Sequence, residues 1–318
     1  MDRRNFGKIL AAMGVSFSTG NLSAKTIESN FDFSVSMTDD KIKVFCKSVE
    51  KKSKIMFIAD SHISYSEGLS NPYLDYAWRM HKAFENKPKI ESLAMAFKTA
   101  ERQNFDLIIL GGDIINFPSD YNVKKLCDVI SASKVPVKYI SGNHDWHFEG
   151  SGTNIPQTEV RKQWMHKLKP LFFGEDCDAH KTVVNNVKFI FIDDSAHDIS
   201  EKQLEWLKKE LSDGMPAIIS IHIPIFIEGR PYAIGDPNWG EKTDRSYKVE
   251  RRKKRPEKQS AQTFEFRSLV LNSPNVLGIL AGHTHKLAYD YINGKFQAVA
   301  PRFIDKSEFI TLEISPMK

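Results

Sequence analysis

The chain has 318 residues, 41% of them hydrophobic, enough to bury a sizeable core as one large domain or two small ones. Its formal net charge of +5, from 45 basic and 40 acidic residues, neither demands nor rules out an anionic partner. The three cysteines, Cys46, Cys127 and Cys177, are widely spaced and odd in number, which excludes full disulfide pairing and points to buried packing.

The amino terminus reads Met-Asp-Arg3-Arg4-Asn-Phe6-Gly-Lys8, then a weakly apolar run from Ile9 to Phe17 and a Ser/Gly/Asn-rich stretch. This basic start and short apolar region cannot span a bilayer as a helix, so no transmembrane span is expected. Residues 1–26 resemble a twin-arginine export signal, with a cut expected between Thr19 and Thr26. Export implies a periplasmic or extracytoplasmic protein, a retained leader an anchor, and an ordinary basic start a cytoplasmic one. Residues 27–318 read as a single domain.

From Phe31 to Met37, and again at Ile42, Val44 and Cys46, apolar residues recur with period two around the turn Thr38-Asp39-Asp40, a hairpin at the edge of a sheet. Apolar runs at 54–59, 106–110, 136–140, 217–220 and 276–281 then read as buried strands. Helical spacing of Ile90, Leu93, Ala94, Phe97 and Ala100 predicts a helix, and so does that of Val123, Leu126, Cys127 and Ile130. A third helix runs through Val160, Trp164 and Leu168, and Ser200 with Gln203 makes a capping box for a fourth. Asn185-Asn186 and Asn293-Gly294 mark two-residue hairpins, and 308–314 a final strand. Parallel strands early and hairpins late give an α/β (α+β) fold with mixed sheets flanked by helices.

Tyr73, Tyr76 and Trp78, with Arg79 and His81, follow the first motif and either line a pocket or pack a surface loop. The stretch 229–262 lacks clear periodicity and reads as a lid insertion. Its basic run, within 248–258, could instead contact nucleic acid or an anionic membrane, or be a solvated face.

Each of five apolar runs is followed by a polar cluster: Asp60-Ser61-His62, Gly112-Asp113, Gly142-Asn143-His144-Asp145, His222 and Gly282-His283-Thr284-His285. Ligands of α/β sheets bind outside the carboxyl ends of strands, so these clusters are expected to converge. Carboxylate, amide and imidazole donors without cysteine suit Zn, Mn, Fe, Co or Ni. A spacing of two in extended backbone would turn Asp60 and His62, and likewise His283 and His285, to one face. Glycines before Asp113, Asn143 and His283 fit sharp turns or close approach.

In order, these blocks read D-x-H, G-D, G-N-H-D, a lone His and G-H-x-H, which resembles the calcineurin-like metallophosphoesterase superfamily over about residues 54–300. The resemblance implies a four-layer α-β-β-α sandwich and a dinuclear centre of Mn, Fe or Zn. It implies Asp60, His62 and His285 on one metal, Asn143, His222 and His283 on the other, and Asp113 between them. It also implies that His144 meets the phosphate and leaving group, and that Asp145 orients His144. Gly112-Asp113 is followed by Ile-Ile-Asn, where many relatives carry an acid two or three positions on.

The implied activity is hydrolysis of a phosphate mono- or diester by metal-activated water. A nuclease and a non-catalytic metal-binding interaction protein are the alternatives. His147 is not expected among the ligands, although it could touch substrate. Asp193, Asp194 and His197, between a strand and a helix, read as turn and cap residues.

Overall fold

Alternation and hairpin chemistry place six strands early in the chain: β1 (Lys25–Glu28), β2 (Phe33–Thr38), β3 (Lys41–Cys46), β4 (Ser53–Ile58), β5 (Leu107–Gly111) and β6 (Val137–Ile140). Six more are β7 (Ala179–Val184), β8 (Val187–Ile192), β9 (Ala217–Ser220), β10 (Val276–Ala281), β11 (Ala288–Ile292) and β12 (Lys295–Val299), and β13 (Ile310–Pro316) ends the series. The protein is described here from a computed structural model, over residues 25–28, 32–65, 67, 74–84, 90–147, 156–228, 233–235 and 259–317. The residues expected to form the leader lie outside the described ones up to position 24, and β1 takes in Lys25 and Thr26. Tyr73 and most of the expected lid, with Trp239 and the basic run, also lie outside them.

The strands form a seven-stranded sheet, order β1-β2-β3-β13-β4-β5-β6, and a six-stranded sheet, order β11-β12-β10-β9-β8-β7. Both are mixed: β4, β5 and β6 run parallel, as do β8, β9, β10 and β12, while the hairpins β2–β3, β7–β8 and β11–β12 are antiparallel. Asn185 and Asn186, at φ 47° and 62°, turn the β7–β8 hairpin with the left-handed backbone that such loops require. The final strand does more than close the chain. It inserts between β3, to which it is parallel, and β4, to which it is antiparallel.

Among the described residues, seven α-helices flank the sheets: α1 (Leu74–Phe84), α2 (Ile90–Arg102), α3 (Asp120–Ser131), α4 (Gln157–Leu168), α5 (Glu201–Leu211), α6 (Ala261–Asn272) and the short α7 (Phe303–Lys306). The period-two alternation of strands sorts their side chains into separate cores. Ile55 and Phe57 of β4 meet Phe189, Phe191, Ile218 and Leu280 between the sheets. Met56 and Ile58 turn the other way, against Leu93 and Phe97 of α2, Leu126 of α3 and Leu168 of α4. On the far face, Leu204 and Leu207 of α5 and Phe266 of α6 cover Ile190, Ile219 and Ile279. The layers are therefore α-β-β-α. The aromatic stretch expected as a loop is partly the helix α1, where Trp78 is 51% exposed and Lys82 Nζ lies 4.9 Å from its ring centre.

Candidate metal centre

The five motif strands divide between the sheets, β4, β5 and β6 in the first and β9 and β10 in the second. Because the strands within each set are parallel, their carboxyl ends lie at one end of each sheet. The polar clusters follow those ends and come together across the sheets, with the His283 N–H donating to Asp60 Oδ2 at 2.9 Å.

Two groups of ligand atoms form there. Asp60, His62, Asp113 and His285 make one, and Asp113, His222 and His283 the other, each with its atoms within 4.8 Å of one another. Asp113 belongs to both. In the first group, His62 Nε2 is 3.1 Å from His285 Nε2, and Asp60 Oδ1 is 3.3 Å from His285 Nε2 and 3.9 Å from His62 Nε2. In the second, His222 Nε2 is 3.3 Å from Asp113 Oδ2. Ligands about 2.0–2.2 Å from one ion stand about 3–3.5 Å apart, so these spacings suit the edges of a coordination shell.

Orphaned acceptors make the same point. Asp60 Oδ1 and Asn143 Oδ1 are buried without a hydrogen bond, at a cost of about 1–3 kcal/mol for each such group. The opposite carboxylate oxygens are occupied, Asp60 Oδ2 by the His283 N–H and Asp113 Oδ1 by the His144 N–H at 2.7 Å. Each aspartate is thus fixed by the backbone through one oxygen and offers the other. With four imidazoles and an amide oxygen, this donor set fits two borderline cations such as Zn, Mn or Fe.

The backbone reaches this arrangement by a route the spacing does not predict. Asp60, His62, His283 and His285 are not extended; their φ values are 57°, 44°, 70° and 64°, and Asp113 is at 52°. Left-handed residues turn each pair inward, and Asp and His tolerate that region better than most residues. Gly112, at φ 87°, and Gly142 make room. A Cβ at Gly112 would lie 2.5 Å from His222 Nδ1, and one at Gly142 would lie 2.2 Å from Asp113 Oδ1.

Asp145 binds backbone groups: its Oδ2 accepts the N–H groups of Asp113 and Gly142 at 2.7 and 2.6 Å, and Oδ1 accepts that of Ile115 at 2.8 Å. The Asp145 side chain folds back into its own turn and clamps the β5 and β6 loops together. Asn116 Oδ1 lies 2.7 Å from His144 Nδ1 and 3.4 Å from His62 Nδ1.

Electrostatics follow burial. Burial lowers His62 to about 4, against the pull of Asp113, so its imidazole is neutral at pH 7. Burial also lowers His222, but Asp113, Asp60 and Asp194 outweigh it and raise His222 to about 10. Asp113 is held well below the usual carboxylate range, burial opposing and His222, His144 and His62 prevailing. Burial raises Asp194 to about 7 against His222 and two backbone N–H donors. Asp193, Asp194 and His197 are all buried here, with the His197 ring 5.6 Å from that of His283. His147 is buried beside Trp146, and His81 Nδ1 sits 3.1 Å from the Ser64 carbonyl, two residues past His62.

A family model for calcineurin-like phosphoesterases matches residues 53–287. The chain belongs to that family. Family members hold a dinuclear metal centre, and the two Asp/His groups of this phosphoesterase could hold such ions. A curated relative from Fibrobacter succinogenes, described as a probable cyclic nucleotide phosphodiesterase, is 28% identical over 131 residues, 41% of this chain and 46% of that protein. The chain therefore matches about half the length of that relative. Among solved structures, a dimetal phosphatase from Danio rerio is similar at 15% identity and a TM-score of 0.48, over 81% of this chain and 91% of that one. The inner-membrane-complex anchor GAP50 of Plasmodium is similar at 13% identity and a TM-score of 0.44, over 84% and 82%. Family membership and the phosphodiesterase relative support a hydrolase.

Proposed function

We propose that this phosphoesterase hydrolyses a phosphate mono- or diester at the centre built around Asp113. The observation that carries the reading is the shared aspartate, a member of two ligand groups at once. Bound there, two cations supply Lewis acidity to phosphoryl oxygens and lower the pKa of a water to near neutrality. Asp60, His62 and His285 would hold one, Asn143, His222 and His283 the other, and Asp113 both.

The remaining steps belong to side chains. Asn116 Oδ1 accepts from His144 Nδ1–H, which orients the ring and leaves Nε2, whose N–H would carry the transferred proton, for the substrate. His144, edge-on to His62 with ring centres 4.7 Å apart, would stabilise the phosphoryl charge and pass a proton to the leaving oxygen. Asp145 holds the loops on which Asp113 and Asn143 stand. The phosphodiesterase described for the Fibrobacter relative supports testing diesters beside monoesters.

The test is hydrolysis of a matched aryl phosphate monoester and diester by leaderless protein loaded in turn with Mn, Zn and Fe. Turnover of either supports the reading, and the better ester directs the search toward nucleotides and sugar phosphates or toward cyclic and polymeric diesters. No turnover of either with two cations bound would overturn it. Export under the amino-terminal leader is part of the same proposal. Its test is fractionation of cells expressing the full chain and an Arg3→Lys, Arg4→Lys variant: export of the first alone is expected, and cytoplasmic retention of both would contradict it.

A further inference from the structure

Strand β8 carries no ligand, yet it ends in two adjacent buried carboxylates, Asp193 and Asp194. The Asp193 side chain accepts from Ser141 Oγ, from Arg161 Nη2 at 3.1 Å, and from the Ser195 N–H and hydroxyl at 2.9 and 2.5 Å. Asp194 Oδ1 accepts the N–H groups of His222 and Ile223 at 2.9 and 3.1 Å, and Oδ2 also accepts from Ile223 at 3.1 Å. The Asp194 carbonyl accepts the His197 N–H at 2.8 Å, which holds that ring beside His283.

Ser141 follows β6 of the first sheet and stands two residues before Asn143. His222 follows β9 of the second sheet. The two aspartates therefore grip one segment from each sheet, the segments that carry Asn143 and His222. Apolar packing between sheets is non-directional, so it sets their spacing more than the aim of any one polar group. Hydrogen bonds to fixed N–H and O–H groups are directional. A ligand set assembled from two sheets needs such a tie to hold its atoms within about 0.5 Å of a working geometry.

We propose that Asp193 and Asp194 are positioning residues for the cation site of Asn143, His222 and His283, acting through the backbone and Ser141 without touching the ion. The inference rests on the two-cation reading above. The other cation site is secured separately. The Asp60 carbonyl and that of Ala59 accept from the Ile304 and Phe303 N–H groups at 3.4 and 3.1 Å. Disturbing β8's end should accordingly weaken one cation site and spare the other.

The test is Mn titration of the full chain, followed by calorimetry and by the electron paramagnetic resonance of coupled against isolated Mn. In Asp194→Leu both acceptor oxygens are lost, and one of the two binding steps should fall 10–100-fold, the usual effect of removing an outer partner of a ligand. The other step should be unchanged, and the coupled signal should give way to that of isolated Mn. Asp194→Asn keeps an acceptor oxygen toward His222 and should restore both steps. Ser141→Ala, a milder change at the Asn143 segment, should weaken the same single step and guards against misfolding of the leucine variant. Equal weakening of both steps in Ser141→Ala and Asp194→Leu, or no change in either variant, would overturn the inference. A wild-type chain that binds fewer than two cations would remove the two-cation reading and the inference with it.

Discussion

Asn116 is one amide whose oxygen faces two imidazoles, His144 at 2.7 Å and His62 at 3.4 Å. Replacing it with Leu removes the acceptor that orients both rings. Turnover should then fall toward that of His144→Ala, a loss of about 10²–10⁴ for a displaced proton donor, with two cations still bound. Unchanged turnover in Asn116→Leu would contradict that orienting role, and loss of metal in His144→Ala would make His144 a ligand. His222 supplies a second prediction. Raised to about 10, it is protonated at pH 7 in the cation-free protein, and it must be neutral to ligate. Cation binding at pH 7 should therefore release about one proton, and apparent affinity should rise with pH up to about 10. Calorimetry in buffers of different ionisation enthalpy measures that proton; none released would contradict the charged His222. At this scale the convergence of the Asp and His residues was legible, because each follows an apolar strand and their order along the chain is specific. Asn116 and Asp194 were not. Their roles are contacts made across loops and between sheets, and neither leaves a pattern in neighbouring residues.

The short helix α7 closes over the end of β4, its first N–H groups bonded to the carbonyls of Ala59 and Asp60 and Phe303 1% exposed beneath it. Phe303→Ala should cost about 3–5 kcal/mol of stability, the usual range for a buried Phe, seen as a lower denaturant midpoint. It should also weaken the cation site of Asp60 more than that of His222. An unaltered midpoint would contradict the packing described. Elements with strong local signals were readable: the Asn-Asn and Asn-Gly hairpins, the capping box at Ser200 and the apolar face of α2 all form as their residues dictate. Three features were not. The position of β13 between β3 and β4 is a non-local pairing that no local residue announces. The helix α1 begins within an aromatic stretch that reads as a pocket lining or a surface loop. The left-handed backbone of the paired ligands replaced the extended geometry that their spacing of two suggests.

Taken whole, the molecule places its chemistry at the seam between two sheets, with three ligand-bearing strands in one and two in the other. Neither sheet holds a complete group of candidate ligands, since Asp60 and His62 lie with His285, and Asp113 with His222 and His283. Cations should accordingly act as cross-links of the native fold and stabilise it by about 2.7 kcal/mol at a hundredfold excess over the dissociation constant. The single measurement that bears most directly on this account is turnover of an aryl phosphate ester against equivalents of Mn added to cation-free protein, in the wild type and in Asp113→Ala. Activity that climbs to a plateau at two equivalents in the wild type, and is lost in the variant, is the predicted result. Full activity at one equivalent, or an Asp113→Ala variant that matches the wild type, would contradict a centre built on a shared aspartate.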